Sequence, residues 1–149
     1  MFEIELKNPD EISIKTKDRV INVNVAQSTI TAGLQVGTIK GAGEFEIGET
    51  TIMGVATGLG NVMYRIEIGD VTIGVVGSEV KNEDLDELGP IDILGTSVAE
   101  IVPVVEPKIV IPMGHMDFAE LKASVKIEKR LKVKNMGSLP AIMEIYKLD

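Results

Sequence analysis

Hydrophobic and polar residues alternate along most of the first half of the chain, which is typical of half-buried β-strands. The alternation predicts strands at 2–6, 11–16, 20–25, 44–47, 51–55, 62–68 and 71–76, and one further short strand within 27–43. Gly69-Asp70 separates two of these runs and suits a two-residue hairpin turn of the primed type. The pattern therefore predicts a series of antiparallel hairpins.

The pattern changes after residue 80, where short helices alternate with short buried strands. Asn82–Leu88 followed by Gly89 predicts one helix. Ser97 and Glu100 have the spacing of a capping box, which predicts a helix start that Pro103 then shortens. A strand–helix–strand crossover predicts that the flanking apolar runs lie parallel. Strands are predicted at 91–94, 108–113, 125–134 and 140–148, and a short helix is predicted at 118–124.

Composition indicates one globular, β-rich α+β domain over residues 1–149. Hydrophobic residues make up 44% of the chain and aromatic residues only 3%, so the core must be aliphatic. The absence of cysteine excludes disulfides, thiolate metal sites and cysteine nucleophiles. No apolar run approaches the roughly 20 residues that a membrane helix needs, and no signal peptide is recognised. We expect a cytoplasmic protein without a membrane partner.

The net charge of −8 is unevenly distributed. Residues 1–121 carry 8 basic and 20 acidic side chains, whereas residues 122–149 carry 7 basic and 3 acidic ones. The acidic bulk argues against nucleic-acid binding. The basic segment is either a solvated face or a contact for an acidic partner, such as the acidic part of another copy of the chain.

One histidine, His115, is the main candidate for metal chemistry. It follows an apolar run, and in an extended chain it would point to the same side as Asp117. A catalytic zinc site usually takes three protein ligands, so carboxylates such as Glu44 or Glu79 would have to complete a Zn or Mn site here. The alternative is an ordinary surface histidine.

Other nucleophile and phosphate motifs are missing. No serine stands in a G-x-S-x-G frame, and no glycine run continues into G-K-S/T. Backbone N–H groups near Gly41–Gly43 and Gly77-Ser78 could instead hold an anionic ligand, which leaves a small-ligand sensor as a further hypothesis.

Four segments carry a resemblance to a known family. Residues 41–46 read G-A-G-E-F-E, residues 61–67 N-V-M-Y-R-I-E, residues 85–94 L-D-E-L-G-P-I-D-I-L and residues 106–113 E-P-K-I-V-I-P-M. In order and spacing they resemble the segments G-P-G-E-Y-E, N-T-I-Y-x-I-E, L-x-x-L/I-G-x-V/I-D-V/I-L and E-P-K-I-V-I-P-M-H-Y. These belong to small prokaryotic zinc-dependent hydrolases of the metallo-β-lactamase fold related to UPF0173. The resemblance implies a reduced αββα sandwich with two mixed sheets and few short helices.

The metal-binding motifs of that family are degenerate here. Its H-x-H-x-D-H segment is missing between about Val25 and Gly41, and its H-L-G-D motif falls on residues 75–78, which read V-V-G-S. Its last histidine falls on Gly114 or, with a one-residue insertion, on His115. At most one ligand survives, so a metal-activated water is not expected.

The resemblance therefore implies a non-catalytic pseudoenzyme without a cofactor, which acts in binding or homo-oligomeric assembly. A shortened sandwich is also expected to expose an apolar sheet face that a second copy would cover. The alternative is a metal-dependent hydrolase rebuilt around His115.

Overall fold

A computed structural model describes residues 1–32 and 38–149 of the chain. The strands are β1 (Phe2–Asn8), β2 (Glu11–Lys15), β3 (Val20–Asn24), β4 (Thr29–Ala32), β5 (Thr38–Lys40), β6 (Gly43–Ile47), β7 (Thr50–Ala56), β8 (Val62–Ile68), β9 (Val71–Val76), β10 (Ile93–Thr96), β11 (Ile109–Pro112), β12 (Ser124–Glu128), β13 (Leu131–Val133) and β14 (Glu144–Leu148). The α-helices are α1 (Asn82–Leu88) and α2 (Val102–Val105), and 3-10 turns cover Ala99–Ile101, Ala119–Leu121 and Met136–Ser138.

The strands form two sheets. The first has the order β13-β1-β2-β3-β4-β5 and is antiparallel throughout. The second has the order β12-β14-β11-β10-β9-β8-β7-β6, with five parallel strands from β12 to β9 and three antiparallel strands after them. The β-rich α+β prediction is confirmed, and the mixing of strand directions lies in the second sheet.

The main core lies between the two sheets and is aliphatic, as the composition predicted. Alternate residues of each strand point inward, and Ile4 and Ile14 of the first sheet join Ile66 and Ile73 of the second in one fully buried cluster. Full burial of an isoleucine side chain stabilises a fold by about 1.5–3 kcal/mol. This cluster holds the sheets face to face.

A second core covers the other face of the second sheet. Leu88 of α1 and Val102 of α2 pack with Val110 and Ile145 of the sheet strands. Within the described residues the outer face of the first sheet has no such cover. It carries Glu3, Lys15 and Asn22, whose alternation with the buried residues points them outward. The expectation of an exposed apolar sheet face is therefore wrong for this sheet, because its outward positions are polar except for Val20 at the start of β3.

Helix α1 ends at Gly89 as predicted, and the Gly69-Asp70 turn joins β8 to β9 with Ile68 paired to Val71. Only Gly69 of the two turn residues has a positive φ, +60°, which is the pattern of a primed turn with glycine first. The predicted hairpin is confirmed.

Three local predictions are wrong. Residues 27–43 contain β4 and β5 and the start of β6, although residues 33–37 lie outside the described part of the chain. The predicted strand 125–134 is divided at Lys129-Arg130, and its halves β12 and β13 belong to different sheets. The predicted capping box at Ser97 does not form, because Ser97 Oγ donates to the carbonyl oxygen of Gly77 at 2.8 Å. The 3-10 turn begins after Val98 instead.

The longest α-helix in residues 1–32 and 38–149 is the seven-residue α1, and no helix there is long and apolar enough to cross a membrane.

Candidate functional site

The carboxyl ends of β9, β10 and β11 meet at one edge of the second sheet. Val76 pairs with Thr96, and Thr96 pairs with Pro112, so the residues that follow these three strands lie next to one another. Ligand sites in open α/β sheets form at this kind of edge. The same edge holds Gly77 and His115, which the sequence singled out.

Side-chain hydroxyls at this edge tie the strand ends together. Thr96 is fully buried, and its Oγ1 donates to the carbonyl oxygen of Val76 at 2.7 Å while it accepts from the backbone N–H of Val98 at 3.0 Å. Ser97 Oγ makes the equivalent bond to Gly77 at 2.8 Å. These hydroxyls satisfy backbone groups that would otherwise be left without partners at the strand ends.

Loops of the first sheet close over the same edge. The side chain of Val25 lies so close to Gly77 that a Cβ atom added to Gly77 would be 2.2 Å from Val25 Cβ. The backbone N–H of Gly114 donates to the carbonyl oxygen of Pro9 at 2.9 Å. The chain therefore fills the space beside Gly77 with hydrocarbon and anchors the end of β11 to the β1–β2 turn.

The first two of the four positions that align with the H-L-G-D motif are apolar and buried. Val75 belongs to the core between the sheets, Val76 belongs to the core under the helices, and neither is exposed to solvent. Ser78 is half-buried at the surface. Hydrocarbon side chains cannot bind zinc, which takes nitrogen, sulfur and oxygen ligands. The residues present do not fit the metal centre of the resembled family.

His115 and Asp117 follow β11 directly and are both exposed. Asp117 Oδ1 accepts a hydrogen bond from the backbone N–H of Ala119 at 3.1 Å, which is a local turn contact. Glu44 lies on β6 and Glu79 follows β9, with β7 and β8 between the two strands. At a strand spacing of about 4.8 Å these strands are roughly 14 Å apart, so the sheet does not bring these carboxylates together.

In the described part of the chain no three His, Cys, Asp or Glu side chains converge as a metal site would require. Residues 33–37 read G-L-Q-V-G and contain none of these residue types. Ligation of a metal by His115 and Asp117 stays a prediction.

An open groove of about 430 Å³ lies beside this edge, between the loop after β9 and the 3-10 turn Ala99–Ile101. Glu79 and Glu100 stand on its walls, and Ile101 and Val104 contribute an apolar part. No sequence pattern indicated this groove, because its walls come from two loops that are joined only through the sheet.

Tyr64 is a buried polar group that the sequence analysis did not single out. It lies on β8 opposite Val75 and is 1% exposed, and its hydroxyl has no hydrogen-bond partner within the described residues. Burial raises the pKa of the Tyr64 phenol, because the charged phenolate loses its hydration there. Its only sequence signal was an aromatic residue at an inward position of a strand.

Comparison with known proteins supports the fold. No protein-family model matches the sequence, and no curated protein matches it. A crystal structure from Thermotoga maritima, described as a candidate Zn-dependent hydrolase of the metallo-β-lactamase superfamily, superposes with a TM-score of 0.74. The match covers 99% of each chain at 14% sequence identity. The chain therefore has a metallo-β-lactamase-like fold in a form with few helices, as the resemblance implied.

Proposed function

We propose that this chain is a non-catalytic protein on a metallo-β-lactamase-like scaffold, which acts through binding or through assembly with copies of itself. The observation that carries the proposal is the replacement of the histidine of the H-L-G-D motif by the buried hydrocarbon of Val75 and of its aspartate by Ser78. Val75 packs in the core between the sheets, and Val25 packs against Gly77. Hydrolysis by this superfamily depends on a metal-bound water, and these side chains offer such a metal no ligand.

The packing gives this replacement a physical basis. A metal ligand at position 75 would be an imidazole or carboxylate inside an aliphatic core, where an unpaired polar group costs about 1–3 kcal/mol. Ile73 and Ile93, which are fully buried, belong to the same core cluster as Val75, and its one polar cross-strand neighbour is Tyr64 on β8. A metal ligand at position 75 would replace the apolar contacts that Val75 makes in the core between the sheets. This supports a scaffold without a metal site at that position.

The alternative is a metal-dependent hydrolase rebuilt around His115. The observation in its favour is the position of His115 at the carboxyl edge of the parallel strands, exposed to solvent. Such a site would require Zn or Mn, further carboxylate ligands such as Asp117, and ligands from a second copy.

Metal content separates the two functions. Tag-free protein would be incubated with Zn²⁺ or Mn²⁺, passed through a desalting column and analysed for bound metal, together with H115A. E87A serves as a control, because it removes an exposed carboxylate on α1 away from the edge. We expect substoichiometric metal in all three proteins and no metal-stimulated cleavage of phosphodiester, lactone or thioester substrates. Stoichiometric metal that is lost only in H115A, with turnover, would establish the alternative instead.

A further inference from the structure

The second sheet ends on each side in an edge strand, and the two edge strands have the same length. β12 forms one edge and β6 the other, and each strand has five residues and one hydrogen-bonded neighbour within the described residues. All five residues of β12 are exposed, and Val125 and Ile127 are 44% and 67% exposed. An edge strand with free backbone groups can pair with another strand unless something blocks it.

The two edges carry opposite charge. Residues 43–49, which cover β6 and the turn after it, contain three glutamates and no basic residue. Residues 122–130, which cover β12 and its flanks, contain four basic residues and one glutamate. Two of the basic residues make ion pairs within the chain, Lys126 with Glu144 at 2.8 Å and Arg130 with Glu3 at 3.4 Å. Lys122 and Lys129 have no ion pair among the described residues.

The faces of the two strands also correspond. Val125 of β12 pairs with Ile145, which lies in the core under the helices. Val125 and Ile127 are therefore on the helix side of β12, and Lys126 is on the other side. β6 has the reverse arrangement, with Phe45 on the side of the inter-sheet core and Glu44 and Glu46 on the helix side. Within one copy β12 and β6 run in opposite directions, so a parallel contact between β12 of one copy and β6 of another requires the second copy to present the opposite face of its sheet. Val125 and Ile127 then lie on the same side as Phe45, and Lys126 lies on the same side as Glu44 and Glu46.

We propose that copies of this chain join edge to edge, with β12 of one copy pairing with β6 of the next to extend the second sheet. The proposal rests on the proposed function in assembly and names its contact. Symmetric β12–β12 or β6–β6 pairs would place like charges opposite each other, which is unfavourable. A contact between two different edges is heterologous, so it produces rings or open filaments and not closed pairs.

Single-edge variants test this contact by analytical ultracentrifugation over a range of protein and salt concentrations. The double variant I127S/K129E disables the β12 edge, and E44Q/E46Q disables the β6 edge. All four residues are exposed and make no side-chain ion pair among the described residues, so the fold is retained. K108E and E83Q/E87Q are matched controls, because they make similar charge changes at exposed positions away from both edges.

The wild-type protein and both controls are expected to self-associate, and to do so less at high salt because exposed charges are screened. Each edge variant alone is expected to stay monomeric to concentrations about tenfold higher, which corresponds to about 1.4 kcal/mol. A mixture of the two edge variants retains one intact β6 edge and one intact β12 edge. It is expected to form a 1:1 pair of about 32 kDa, twice the 16.1 kDa of one chain.

Three results would overturn the proposal. Wild-type protein that remains monomeric at all concentrations would mean that the edge charges only prevent aggregation, or that an acidic foreign strand occupies β12. Dimers formed by one edge variant alone would indicate a symmetric contact. Association that persists unchanged in both variants would place the contact elsewhere. None of these results bears on metal content or hydrolysis, so the non-catalytic proposal is tested separately.

Discussion

Replacement of Gly77 by alanine should destabilise the fold, although the backbone at this position does not require glycine. The φ of Gly77 lies outside the left-handed region, so alanine is sterically allowed by its own backbone. The obstacle is Val25, whose Cβ would lie 2.2 Å and whose Cγ2 would lie 2.6 Å from the new methyl group. Because Cβ is fixed to the backbone, a rotamer change cannot remove this overlap.

The size of the effect follows from two opposing terms. Overpacking that forces a backbone shift costs about 1–3 kcal/mol. Replacement of glycine by alanine at a compatible backbone position returns about 0.4–1 kcal/mol through the unfolded state. We expect a net loss of about 1 kcal/mol, which for a chain of this length lowers Tm by about 2–4 °C.

Urea unfolding of G77A, V25G and the double variant V25G/G77A measures the coupling. V25G removes the atoms that the alanine methyl group would meet, so the double variant should be no less stable than V25G alone. The coupling free energy between the two sites is then the overpacking cost alone, about 2 kcal/mol, because the gain through the unfolded state is the same with and without Val25. G58A is the control, since its new Cβ would lie 3.6 Å from Lys81 Nζ in ordinary contact. Additive effects of the two substitutions, or a G77A as stable as G58A, would refute the close packing of Val25 on Gly77.

Two further predictions concern buried polar groups. Y64F should raise the free energy of unfolding at pH 7 by about 1 kcal/mol, because it removes a buried hydroxyl without a described partner. Burial raises the pKa of Tyr64 in the folded state, so the unfolded chain loses its phenol proton at a lower pH than the folded chain does. The free energy of unfolding of wild type should therefore fall more than that of Y64F between pH 9 and 11 in urea titrations. Equal losses would contradict this. D84A should cost about 1–3 kcal/mol, because Asp84 carboxylate oxygens accept from the N–H groups of Lys81 at 3.0 Å and Gly58 at 3.2 Å. The exposed neighbour Glu83 provides the control E83A, and a D84A as stable as E83A would contradict the role of this carboxylate.

The local elements of the fold were predictable where short-range chemistry decides the structure. The bounds of α1 agree with the sequence because Gly89 ends the helix, and the Gly69-Asp70 hairpin agrees because its turn and its alternation indicate the same structure. The prediction of a capping box at Ser97 was wrong because the Ser97 hydroxyl donates to the carbonyl oxygen of Gly77, which lies 20 residues earlier. A capping pattern in sequence contains no information about such a distant acceptor.

The sequence predicted which residue types stand at the candidate site but not how their side chains pack. The replacement of the metal-ligand positions by Val75 and Ser78 was visible in the sequence, and the structure adds that the Val75 side chain lies in the core between the sheets. The packing of Val25 on Gly77 and the unpaired hydroxyl of Tyr64 depend on how the two sheets face each other. Periodicity indicates which residues point inward but not which inward residues of two sheets meet.

The order of strands in the second sheet has a consequence for synthesis on the ribosome. β14 follows β12 and β13 in the chain, yet it lies between β11 and β12 in the sheet. While residues 144–148 are still inside the exit tunnel, neither β11 nor β12 has the strand that will separate them. β12, with its apolar residues Val125 and Ile127, can therefore join the sheet only together with β14 or after it. Before β14 is added, β12 is an extended segment without a neighbour in this sheet, which is the kind of segment that a chaperone binds.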